Sequence, residues 1–111
     1  MSNTPKRTTD SLDAQVGQAW SHHYNKQNEV ALAEFRKLAE ANPSHIDANF
    51  GYALSLKTAG DSSAATDIFH KTLTLVDARI GTQSDDDEDS RYRMLKRMIE
   101  QHLGQIQALQ G

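Results

Sequence analysis

Residues 19–35 read AWSHHYNKQNEVALAEF and residues 53–69 read ALSLKTAGDSSAATDIF. Laid one on the other, they place Ala19 on Ala53, Ala31 on Ala65 and Phe35 on Phe69, each pair 34 positions apart. Small residue meets small residue and aromatic meets aromatic. Self-similarity at one fixed period of this length is the mark of stacked supersecondary units, each needing its neighbour to cover an apolar face. Pro43 follows Phe35 by eight residues, at a point where a helix must stop, so the unit reads helix, tight turn, helix, proline.

Working outward, Leu12, Val16, Ala19, Trp20 and Tyr24 recur at three- and four-residue steps and predict a first helix, capped by Thr9, Asp10 or Ser11. Residues 1–9 are polar with Pro5 and two positive charges, and are expected to be a disordered tail. Asn25-Lys26-Gln27-Asn28 is a polar turn, with Asn28 the expected cap of a second helix from Glu29 to Ala41. Ser44 is the expected cap of the next helix, whose inward stripe is Ile46, Phe50, Ala53, Leu54 and Leu56. Gly60 supplies its left-handed end, and Asp61 or Ser62 opens the fourth helix. That helix keeps its period through Ile68, Phe69, Leu73 and Val76 to Ile80, longer than its counterpart in the first unit.

Past Ile80 the repeat is lost. Residues 81–89, GTQSDDDED, carry no apolar side chain and five acids, and predict a mobile acidic loop. From about Ser90 to Leu109 an amphipathic helix follows, with Tyr92, Leu95, Ile99, His102, Leu103, Ile106 and Leu109 on one face. An open stack of helix pairs leaves its last pair uncovered, and a terminal helix with a polar outside closes it. The expectation is one all-α domain over residues 10–111. It comprises unit one at 10–43, unit two at 44–80, the acidic loop at 81–89 and a capping helix at 90–109.

The period and the small-to-aromatic spacings resemble the tetratricopeptide repeat over roughly Asp10 to Ile80, about two thirds of the chain. The pattern departs from that family at Lys26, where the turn glycine is usual. It departs also at Gln18 and Ala19, where leucine and glycine are, and at Asp77, where the second proline is. The resemblance implies a right-handed stack of antiparallel helix pairs, here five helices, whose concave groove binds peptides or proteins. Its groove positions would be Asp13, Val16, Trp20, His23 and Tyr24 in the first unit and Asp47, Phe50, Leu54, Lys57 and Thr58 in the second. Members that clamp a C-terminal carboxylate present lysine, asparagine and arginine; Val16, Trp20 and Phe50 stand at the corresponding places and do not supply that chemistry.

Composition narrows the rest. The 111 residues carry a net charge of −3, so no overall positive field attracts nucleic acid or anionic lipid. No cysteine means no disulfide, thiolate metal site or cysteine nucleophile. No apolar run reaches the length of a membrane span, and the expected setting is the cytoplasm. Neither Asn3 nor Asn42 opens a glycosylation acceptor, because proline interrupts both. Of the five histidines, His22 and His23 are adjacent and diverge by about 100° on a helix, while His45, His70 and His102 sit on other segments, so no metal site is expected. The alternation Asp85, Asp87, Asp89 has the start of a calcium loop, but Ser90 and Lys96 occupy the places of its glycine and glutamate. Arg91, Arg93, Lys96 and Arg97 lack interleaved aromatics and follow five acids, which disfavours a phosphate-backbone surface. No phosphate loop, nucleophile elbow or paired zinc histidines are present, and a non-enzymatic chain without cofactor is expected.

Two functions remain. One is an adaptor binding a protein or peptide in an apolar, aromatic groove centred on Trp20, the only tryptophan, which could equally be a core residue. The other is homodimerisation through the C-terminal helix, whose apolar arc nears half its circumference once Met94 and Met98 are added.

Overall fold

A computed structural model describes the backbone over residues 4–82 and 86–110, with side chains described over 11–80 and 90–109. Among the described residues the fold is all-α, a stack of five helices: α1 (Thr4–Tyr24), α2 (Asn28–Ala41), α3 (Ile46–Thr58), α4 (Ser62–Thr82) and α5 (Asp86–Gln110). Each helix packs on the next along the chain.

The repeat is the core. Ala19, Ala31, Phe35, Ala53, Ala65 and Phe69 all have 0% of their surface exposed. Two clusters form around them. One gathers Val16, Ala19, Ala31, Phe35, Leu38, Ala39 and Ala48 from α1, α2 and α3. The other gathers residues of α3, α4 and α5, including Phe50, Phe69, Val76, Ile99 and Ile106, and Trp20 and Tyr52 pack against both. At the seam between α2 and α3 the Phe35 ring lies on the backbone of Gly51, where an added Cβ would sit 2.2 Å from a ring carbon.

The turns repeat as well. Lys26 has φ 65° and Gly60 has φ 90°, both left-handed and one period apart. The amide of Lys26 donates to His23 O and that of Gln27 to His22 O; Gly60 donates to Lys57 O and Asp61 to Leu56 O in the same pattern. Helices α1 and α3 therefore end in a Schellman motif, and in the first unit a lysine takes the conformation that glycine adopts without strain.

Several boundaries differ from expectation. Helix α1 begins at Thr4, so the expected tail over 1–9 is largely helical. Pro5 sits in the first turn, where its missing N–H costs nothing, and residues 1–3 lie outside the described region. Asn28 is the first residue of α2 and Gln27 its cap, without a side-chain hydrogen bond. The cap of α3 is His45, not Ser44: its Nδ1 accepts from the Ala48 amide at 3.0 Å. Asp61 caps α4 through Oδ1 to the Ala64 amide. The expected loop over 81–89 is mostly helix, since α4 runs to Thr82 and α5 starts at Asp86, four residues earlier than expected. Acidic residues in a first turn are favoured by the helix dipole. The part between these helices, 83–85, lies outside the described residues. Helix α4 has 21 residues against 14 in α2, and in place of a terminating proline it carries Asp77, paired with Lys96 of α5 at 3.0 Å.

Candidate binding groove

Helices α1, α3 and α5, with one side chain of α4, wall an open hollow of about 680 Å³. Helix α1 contributes Asp13, Trp20 and Tyr24, the start of α3 contributes Asp47 and Phe50, and the first half of α5 contributes Tyr92, Met94, Leu95 and Met98. Arg79, near the end of α4, and Arg91 complete the α5 side.

Trp20 joins core and groove. Its ring meets Phe35 edge-on with centroids 4.9 Å apart and lies 6.1 Å from Phe50, while its Nε1–H donates to Asp47 Oδ1 at 3.3 Å. On its other side the Tyr24 ring stacks at 5.8 Å and 23° and is 73% exposed. Aromatic pairs of this kind hold side chains in fixed orientation at modest entropic cost. Met94 and Met98, one helical turn apart on α5, are 62% and 40% exposed. Three of the large apolar side chains that the described surface exposes, Tyr24, Met94 and Met98, thus border one hollow.

Charge is divided between the walls. Asp13 and Asp47 lie on the α1 and α3 side, Arg79 and Arg91 on the other, with the two guanidinium carbons 5.0 and 5.8 Å from the Tyr92 ring centre. Such contacts tie the arginine heads to the aromatic face.

Of the residues expected at the groove, Asp13, Trp20, Tyr24, Asp47 and Phe50 line it. Val16 does not: it is 5% exposed within the core. His23 lies outside the lining, its ring edge-on to Trp20 at 5.7 Å, and half-buried Leu54 packs against the second cluster. Lys57 is taken by α5, donating to His102 Nδ1 at 2.9 Å and to the Gln105 side chain, and Thr58 is exposed at the end of α3. The α5 wall was not expected to belong to the groove. Its only sign in the sequence is the excess width of the apolar arc that Met94 and Met98 create.

Below the groove His102 stacks on Phe69 at 5.3 Å and 7°. Burial, followed by the Lys57 charge, holds its pKa below the ordinary value of 6.5. A smaller hollow between α4 and α5, lined by Thr66, His70, Leu103, Ile106 and Gln107, brings together no convergent charges. Among the described residues no group of three or more His, Asp or Glu is placed to hold a metal, and no helix is long and apolar enough to cross a membrane. No family model matches the chain, and no curated protein or solved structure matches it either.

Proposed function

We propose that this chain is a non-enzymatic interaction module of the tetratricopeptide kind, binding a protein or peptide in the groove between α1, α3 and α5. One observation carries the reading: the exposed apolar side chains Tyr24, Met94 and Met98 border the same hollow above Trp20 and Phe50. Leaving such side chains in water costs roughly 25 cal/mol per Å², which apolar side chains of a partner seated in the hollow would recover. The 34-residue period and the repeated Schellman turns support the family resemblance on which the class of function rests.

A photo-crosslinking amino acid placed at Tyr24 or Met98, in the host's extract, should yield the same adduct from both positions. Placed at Lys37, exposed on α2 and away from the groove, it should not. Adducts that are equal at all three positions, or absent from the groove, would remove the reading.

Self-association has one observation of its own: Met94, Met98 and the 82%-exposed Leu109 all belong to α5. Light-scattering mass across a concentration series separates the two, since a monomer throughout excludes dimerisation through that helix.

A further inference from the structure

We infer that the groove's occupant is an amphipathic α-helix of a partner protein, with a basic flank facing α1 and an acidic flank facing α5. The inference rests on the reading of this groove as a binding surface.

The first reason is hydrogen-bond supply. An extended segment brings an unpaired N–H and C=O at nearly every residue, and burying them without partners costs about 1–3 kcal/mol each. Along α1 and α5 the groove has little to offer them, because helical backbone groups are paired internally. Backbone donors are confined to the start of α3. Asp47 accepts from Trp20, His45 caps α3, and Arg79 lies over Tyr92. A helical occupant arrives with its backbone satisfied and needs only side-chain contacts from those walls.

The second reason is shape. Trp20 and Tyr24 stand one turn apart on α1. Arg91, Leu95 and Met98 recur at steps of four and three on α5, so both walls are helical ridges with a trough between them. A third helix seats its own ridge in such a trough, and methionines adapt to its side chains because their thioether stems are unbranched and polarisable.

The third reason is charge. Asp13 is exposed on one wall and Arg91 on the other. An occupant of the opposite pattern, basic toward Asp13 and acidic toward Arg91, gains on both sides, and one turned end for end meets like charge on both.

The test uses the full chain and two displayed peptide libraries of about 14 residues, roughly four helical turns. One is stapled as a helix and the other interrupted by proline, and both are randomised at apolar and charged positions. Enrichment is expected from the stapled library, with Lys or Arg on one flank and Asp or Glu on the other. Binding of enriched members should shift the emission of Trp20, the single tryptophan. The double variant Asp13→Lys, Arg91→Glu alters two exposed side chains, so its melting should match the parent. It should bind peptides with exchanged flanks at least tenfold better than the original ones. Enrichment from the proline library alone overturns the helix while leaving the groove reading in place, and stapled binders with no flank preference overturn the charge assignment. Enrichment from neither library overturns the inference. Crosslinking at Tyr24 and Met98 then decides separately whether the groove reading falls with it.

Discussion

Lys26 and Gly60 hold the same left-handed turn one period apart, yet only glycine does so without a clash between Cβ and the neighbouring carbonyl. Lys26→Gly is therefore expected to raise stability by about 0.5–1 kcal/mol, the relief of strain less the added entropy of the unfolded chain. Urea denaturation measures it, and a loss of stability would contradict the turn geometry. Gly51 behaves in the opposite way. An alanine there drives a methyl into the fully buried Phe35 ring, and a well-packed site that must open for one carbon loses about 1–3 kcal/mol. A Gly51→Ala protein with an unchanged urea midpoint would show that the contact is not tight. Trp20 spans both clusters and also faces the groove, so the two roles considered for it are not alternatives. Trp20→Ala should cost about 3 kcal/mol of stability through lost packing, measured by thermal melting, and is a poor probe of binding alone. Melting at the parent temperature would place the ring outside the core.

Helix α5 is where sequence reading and structure part company most. The repeat was legible because buried small and aromatic residues at a fixed period report only local helix geometry, and Ala19, Phe35, Ala53 and Phe69 lie where that geometry demands. Trp20, Tyr24, Asp47 and Phe50, which line the α1 and α3 side of the hollow, are expected there only through the resemblance to the tetratricopeptide repeat. The α5 side is not expected there, because one broad apolar arc serves two surfaces. Ile99 and Ile106 point to α4 while Met94 and Met98 stay exposed, and periodicity does not divide them. The engagement of Lys57 by α5 is not legible for a related reason, since its partner His102 stands 45 residues away. The burial of His102 against Phe69, and after it the Lys57 charge, makes α5 docking sensitive to acid. The folded state holds the His102 pKa below 6.5, so the unfolded chain binds the proton more readily, and stability is lost as pH falls from 6.5 through the lowered value. The variant His102→Phe keeps an aromatic ring against Phe69 without the titrating nitrogen. Its melting temperature should fall less than that of the parent between neutral and mildly acidic pH, and parallel pH profiles would remove His102 as a cause.

Across the molecule, α5 is part of the fold and not an appendage. Ile99 and Ile106 are buried in one cluster with Phe69 and Val76, and burying each contributes about 1.5–3 kcal/mol before entropy, a large fraction of a small domain's margin. A chain ending at Gly81 should aggregate or lose its cooperative melt, and a stable soluble fragment would contradict this. The groove exists only in the assembled stack, since its walls come from helices at the two ends of the chain. The most direct measurement compares two surface charges. Met98→Glu places a carboxylate in the groove, and Val30→Glu places one on α2, where the valine is exposed and borders no part of it. Both proteins should melt as the parent does. Capture of the natural partner should fall at least tenfold for Met98→Glu and stay unchanged for Val30→Glu, whereas equal capture by the two would show that the hollow between α1, α3 and α5 is not where this protein binds.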